Sequence, residues 1–349
     1  MTYLCKDCWM EQDTSKLLAR CKVCEVNSGI ERLDPASQIA ATARKAADDR
    51  AELVCAIHPS EPLDLFCGTC KQPLSSRALL GDRSVVAILG DVGAGKTSLL
   101  WVLRERLRSP NGIPIKIRQP LGNTDQQLDD AIRDLFTTGR AGATAVSDAV
   151  VRNYAWELVT TTRPRQSALM AFHDAGGEMW RKLEQLPRET NPRFYRYLDL
   201  VRGVIFLIDG QRLAETLDGT ERRRPRADAA AEQEIAILDA IDRRVTARGS
   251  EMPVAVTISK ADVLWGDERW RAFHPESGAS PEMIAEAVQK LLTASGRGEM
   301  LDAFESTFSA VRYFALSAFG REVAAGEPLS ADDIEPVRVE EPLLSFIIE

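Results

Sequence analysis

SVVAILGDVGAGKTSLLWVL, residues 84–103, carries the reading of the fold. The apolar run from Ser84 to Leu89 enters a loop through Gly90, Gly93, Ala94 and Gly95, and Lys96, Thr97 and Ser98 then open a helical stretch. Three glycines let the backbone curl with its N–H groups facing inward, and the helix adds the positive end of its dipole. A phosphate chain fits such a cradle. Lys96 is placed to reach the β and γ phosphates, and the Thr97 hydroxyl to ligate Mg²⁺. Because strand, loop, lysine, hydroxyl and helix agree, a chance glycine-rich turn is the weaker reading.

Outward from this stretch, short apolar runs alternate with helical ones, the order of a mostly parallel sheet covered on both faces. Six strands are expected: 84–89, 154–161, 167–173, 203–209, 253–259 and 312–317. Between them, 125–136 places Leu128, Ile132, Leu135 and Phe136 on one helical face, and 231–242 does the same with Ile235, Leu238 and Ile241. Those stripes read as core. The charged, proline-broken segment 221–228 reads as a solvated loop.

The glycine loop is a complete Walker A motif, which ATPases, kinases and GTPases share, so later motifs must choose. Asp174-Ala-Gly-Gly177-Glu178 follows the 167–173 strand, Ser259-Lys260-Ala-Asp262 follows the 253–259 strand, and Ser317-Ala318 ends the last. In order and placement the four elements resemble those of Ras-like, translation-factor-related P-loop GTPases, over about 260 residues. The resemblance implies a six-stranded small-GTPase-like α/β domain that binds GTP/GDP with Mg²⁺. It gives Asp174 a water-mediated hold on Mg²⁺, and Gly177 an N–H that senses the γ-phosphate. It makes Ser259, Lys260 and Asp262 the guanine-selecting motif, backed by Ser317 and Ala318. A carboxylate at 262 suits that role, since it accepts two hydrogen bonds from guanine's ring N–H and amino group, and adenine offers no such donor pair. Serine at 259 departs from the family's asparagine or threonine.

Switch I is expected at Thr144, with Thr137, Thr138 and Ser147 as rivals and an ordinary loop residue as the plain alternative. The long interval from Thr97 to Asp174 implies an insertion at about 110–150. Glu178 stands where Ras-like proteins have a water-orienting glutamine. A carboxylate there repels the γ-phosphate, so slow intrinsic hydrolysis is expected. His173 reads as a packed histidine rather than a base. The insertion, these motifs and Val339-Glu-Glu-Pro-Leu-Leu-Ser-Phe346 also resemble bacterial double-GTPase proteins, a branch of the clade predicted to work as GTPase pairs in conflict or immune systems. That resemblance implies a second GTPase as partner.

All seven cysteines lie in the first 70 residues: Cys5/Cys8, Cys21/Cys24, Cys55/His58 and Cys67/Cys70. Together these pairs supply ligands for two tetrahedral zinc ions. A disulfide framework would need an oxidising compartment and would leave His58 without a purpose. Cys55 to Cys70 resembles the first half of a B-box zinc finger, down to Pro62-Leu-Asp-Leu-Phe66, with the remaining B-box ligands missing. The expected layout is a zinc ribbon or knuckle at 1–28, a helical linker at 29–53 with a helix after Pro35, a B-box-like module at 54–80, and the GTPase domain at 81–349. Pairing of neighbouring sites is simplest, and an interleaved arrangement uses the same ligands.

A net charge of -8 provides no overall positive field for nucleic acid or anionic lipid. No leader-like N-terminus or membrane-length apolar run is visible, so a cytoplasmic location is expected. The reading from sequence is a GTP-binding switch whose zinc modules recruit a protein partner. Its rivals are a zinc-dependent nucleic-acid binder regulated by its P-loop domain, a non-hydrolysing scaffold, and an ATPase. The first lacks a dense Lys/Arg face with interleaved aromatics.

Overall fold

A computed structural model of the chain describes residues 2–5, 8, 10–13, 16–23, 34–35, 42–45, 51–55, 57–58, 60, 63–74, 82–90, 93–110, 112–120, 124–138, 152–161, 167–174, 196, 200–219, 252–308, 310–323 and 328–346. The first strands are β1 (Thr2–Leu4), β2 (Glu11–Asp13), β3 (Leu18–Arg20), β4 (Asp34–Pro35), β5 (Thr42–Lys45), β6 (Ala51–Val54), β7 (Asp64–Phe66) and β8 (Pro73–Leu74). β1 pairs with β2, and β4-β3-β7-β8 form a four-stranded sheet. β3 runs antiparallel to β7 with Arg20 opposite Asp64, and Arg20 Nη2 donates to Asp64 Oδ2 at 3.3 Å. The two cysteine segments, expected as separate modules, therefore share one sheet.

The interval between them also departs from expectation. Where a helix was expected after Pro35, β5 and β6 pair antiparallel, Thr42 opposite Val54 and Lys45 opposite Ala51. The physical reason lies in Cys21 and Cys55, which converge in space. A chain that must return to its starting point can do so as a hairpin that pairs its own backbone, whereas a helix advances about 1.5 Å per residue. Leu17, Ala19, Leu63 and Leu65 are buried with the cysteines in a core too small to sustain folding by itself.

The remaining chain continues through β9 (Asp82–Gly90), α1 (Lys96–Arg108), β10 (Ile115–Pro120), α2 (Thr124–Thr138), β11 (Arg152–Thr160), β12 (Ser167–Asp174), β13 (Val201–Asp209) and α3 (Gly210–Leu217). After these come β14 (Pro253–Ser259), α4 (Pro281–Ala294), α5 (Gly298–Thr307), β15 (Ala310–Ala315) and α6 (Glu341–Leu344). Among the described residues the sheet has seven strands in the order β10-β11-β12-β9-β13-β14-β15. β12 through β15 are joined to β9 and to one another by parallel pairings, while β10 and β11 run antiparallel at one edge. Six strands were expected, and the seventh is β10. Ile115-Lys-Ile117 alternates as a half-covered edge strand should, but the run is short and ends in proline, so its sequence signal is faint.

Alternation along the central strands separates two cores. Val85, Ala87 and Leu89 of β9 and Val204, Phe206 and Ile208 of β13 pack on one face with Ile284, Val288 and Leu291 of α4 and Phe304 of α5. Val86, Ile88, Ile205 and Leu207 face the other way, against Leu99, Leu100 and Leu103 of α1 and Leu343 of α6. Strands buried on both faces need apolar residues at consecutive positions, which is why 84–89 and 203–208 read as unbroken runs. Each fully buried large side chain contributes about 1.5–3 kcal/mol. α4 begins with Pro281 in its first turn after Ser280, whose Oγ accepts from Met283 N at 3.3 Å.

The expected insertion contains β10 and α2. Leu128 and Ile132 of α2 are buried, as the helical stripe required. Trp101 and Arg104 of α1 fasten it: Arg104 is 2% exposed and donates to Asp129 Oδ1 at 2.5 Å, and the Trp101 and Phe136 rings lie 4.9 Å apart. The helix expected at 231–242 and the loop at 221–228 lie outside the described residues. No helix among the described residues is long and apolar enough to cross a membrane.

Candidate functional site

From β9 the chain builds β10, β11 and β12 on one side before crossing to β13 on the other. The carboxyl end of β9 is thus the point where strand order reverses, the usual ligand crevice of an open α/β sheet. Gly90 ends the strand there at φ 140, and a Cβ on it would lie 2.5 Å from Leu207 O. Gly93 and Gly95 hold φ values of 87 and 80, which side-chain-bearing residues avoid. Gly95 precedes α1 with no side-chain cap, so the first N–H groups of that helix are not taken up by a capping side chain. Ala94 is buried, Thr97 and Ser98 are half-buried, and Lys96, 6% exposed, folds back so that Nζ donates to Gly90 O at 2.8 Å. The lysine cation is thereby held over the loop whose N–H groups would meet an anion.

Two strands from β9, and hence about 10 Å along the sheet, β14 ends in the Ser259–Asp262 turn. Ser259 Oγ donates to Ile208 O at 3.2 Å, and Lys260 Nζ to Asp209 Oδ2 at 2.9 Å. Ala261 N donates to Leu316 O at 3.0 Å and Leu316 N to Ile258 O at 2.8 Å, which fixes the turn to the end of β15. Asp262 sits in the first turn of a 3-10 segment, half-buried, and its carboxylate has no hydrogen bond or ion pair among the described residues. Next to it, Ser317 exchanges backbone bonds with Val337, and its Oγ accepts from Gly320 N at 2.8 Å. That bracing holds the Ser317–Ala318 loop at the same edge of the sheet.

Asp174 closes β12, opposite Arg152 in register and beside β9, so its backbone reaches the same edge. Thr144, Gly177, Glu178 and Cys24 lie outside the described residues. Asp209 is a residue that motif reading passed over. Its sequence signal is slight, a carboxylate closing the apolar run before Gly210, and its register opposite Ser259 emerges only when β13 and β14 pair.

At the other candidate site, the ligand atoms of Cys5, Cys8, Cys67 and Cys70 lie within 4.8 Å of one another, and so do those of Cys21, Cys55 and His58. The pairing is interleaved, so the simplest expectation, neighbouring pairs, is corrected. Cys5 and Cys70 sulfurs are 3.6 Å apart and Cys8 and Cys67 sulfurs 3.7 Å, and these described cysteines are free thiols. His58 Nδ1 is 3.7 Å from Cys21 Sγ and 3.8 Å from Cys55 Sγ. A tetrahedron with metal–sulfur bonds of about 2.3 Å has edges of about 3.8 Å, so the thiol set fits zinc and is far too open for disulfides. Gln12, 5% exposed, adds an outer contact, donating from Nε2 to Cys67 Sγ at 3.6 Å and Thr69 Oγ1 at 2.7 Å. Burial alone would raise the Cys55 thiol, but hydrogen bonds with His58, Ile57 and Cys21 together outweigh it and bring it down to about 7. Cys67 likewise reaches about 7 through Cys70 and Thr69, while burial and the neighbouring Cys5 push Cys70 up to about 12.

No family model matches the chain, and no curated protein matches it. Among solved structures it is similar to a chain of the signal recognition particle receptor SRb-GTP/SRX complex from Chaetomium thermophilum. The match has 16% identity and a TM-score of 0.35 over 70% of this chain and 94% of that one, a likeness too distant to carry an argument.

Proposed function

We propose that the chain is a GTP-binding switch with slow hydrolysis, carried with a two-zinc unit that recruits a protein partner. One observation carries the reading. The glycine loop, the Ser259–Asp262 turn and the Ser317–Ala318 loop lie along the carboxyl edge of one sheet, an arrangement that supports phosphate binding at the first and base binding at the other two. Lys96 and the loop N–H groups would hold the phosphates, and Thr97 with Asp174 would hold Mg²⁺, which neutralises phosphate charge when bound. Asp262 would select guanine with a carboxylate that has no partner of its own among the described residues. Thr144 and Gly177 would sense the γ-phosphate, and Glu178 would keep hydrolysis slow. In the zinc unit, Cys5, Cys8, Cys67 and Cys70 form one site, and Cys21, Cys24, Cys55 and His58 the other. The partner is a protein, a second GTPase of a bacterial conflict system on the double-GTPase resemblance, and the setting is the cytoplasm.

The test is nucleotide exchange with labelled GTP and ATP in Mg²⁺, on wild type and Asp262→Asn. Selective GTP binding that Asp262→Asn relaxes supports the reading. Equal binding of ATP, unchanged by the substitution, removes it in favour of an ATPase or scaffold.

A further inference from the structure

Asp209 closes β13 with only 6% of its surface exposed, and its two carboxylate oxygens serve different elements. Oδ1 accepts from Gln211 N at 3.0 Å and so caps α3, while Oδ2 accepts from Lys260 Nζ at 2.9 Å. Lys260 adopts a left-handed conformation, φ 50 and ψ 41, that L side chains disfavour, so its surroundings must hold it there. Two contacts and one absent side chain do so. The first is the Asp209 ion pair, and the second is the Ser259 Oγ bond to Ile208 O at 3.2 Å. The third is the absence of a side chain at Gly210, where an added Cβ would lie 2.6 Å from Ser259 O and 3.0 Å from Lys260 O. All three act on the turn that delivers Asp262.

We propose that Asp209 is a positioning residue for base selection. Through Lys260 it fixes the Ser259–Asp262 turn, so that losing its charge loosens the base end of the nucleotide and leaves the phosphate end intact. This rests on reading that turn as guanine-selecting. An asparagine at 209 keeps an acceptor for Gln211 N, hence the cap on α3, and gives up the ionic hold on Lys260. Charge-assisted hydrogen bonds are roughly twice as strong as neutral ones.

The experiment measures equilibrium binding of GTP, ATP and inorganic triphosphate, with Mg²⁺, to the full chain as wild type, Asp209→Asn, Lys260→Met and the double variant. Asp209→Asn is expected to weaken GTP about tenfold, to narrow the GTP preference over ATP, and to leave triphosphate affinity within about twofold. The double variant should lose little beyond Lys260→Met alone, because the two act through one contact. Unchanged GTP affinity in Asp209→Asn, an equal fall for GTP and triphosphate, or fully additive losses would each overturn the proposal. A wild type without preference for GTP over ATP would instead remove the guanine reading itself, a result visible before any variant is made.

Discussion

Gly210→Ala and Gly298→Ala place the same methyl group at the first residue of a helix, α3 and α5 respectively, and the structure gives them opposite signs. At Gly298 an added Cβ meets nothing within 4 Å. Alanine there restricts the unfolded chain at no native cost and should stabilise by about 0.4–1 kcal/mol. At Gly210 the same gain is opposed by overlap with two backbone oxygens, Ser259 O at 2.6 Å and Lys260 O at 3.0 Å. Backbone cannot swing aside as a flexible side chain can, so the turn must shift, at the usual overpacking cost of about 1–3 kcal/mol. The net expectation for Gly210→Ala is a loss of about 1–2 kcal/mol. For a domain of this size that lowers the thermal midpoint by about 2–8 °C, while Gly298→Ala raises it by about 1–4 °C. Differential scanning fluorimetry on both variants reads this directly. If Gly210→Ala melts at or above wild type, the close packing of the β13 end against the Ser259–Lys260 backbone is wrong, and the clamp on Lys260 goes with it.

The other predictions concern the metal unit and the insertion. Mild oxidation of the zinc-loaded chain, without prior chelation, should join peptides containing Cys5 and Cys8 to peptides containing Cys67 and Cys70, whose sulfurs stand 3.6 and 3.7 Å apart. Links confined to 5–8 with 21–24 in the peptide map would contradict the interleaving. Zinc needs thiolates, and Cys70 is pushed up to about 12 while Cys55 and Cys67 are lowered to about 7, so zinc binding must displace protons and its affinity should fall as pH falls from 8 to 6. Chelator competition between pH 8 and pH 6 measures this, and a flat profile would refute it. Asp129→Ala should cost about 1–2 kcal/mol because Arg104, 2% exposed, loses one of its carboxylates. Asp130→Ala, which breaks an exposed pair with Arg133, should stay within about 0.5 kcal/mol in the same denaturation assay.

Much of this molecule is legible in its sequence, for a local reason. Gly90, Gly93 and Gly95 announce a loop because positive φ is a property of single residues, and the apolar run before them announces a strand buried on both faces. The α2 stripe of Leu128 and Ile132 is legible because helical period ties neighbours in sequence to neighbours in space. The Cys-x-x-Cys and Cys-x-x-His pairs are legible as groups that could hold a metal because a two-residue spacer already sets two ligand atoms close together. Tertiary structure alone decided which pair joins which. The convergence of Cys5 and Cys8 with Cys67 and Cys70 depends on β3 pairing with β7 across more than forty residues of chain, and no local preference encodes that. The same holds for the seventh strand, whose edge position demands little apolar sequence, and for Asp209, whose meeting with Lys260 follows from the register of two strands. Residue chemistry and local period fixed the paired thiols, the glycine loop and the strands of the core. Long-range pairing, which the sequence specifies only through the whole packed chain, decided the partners.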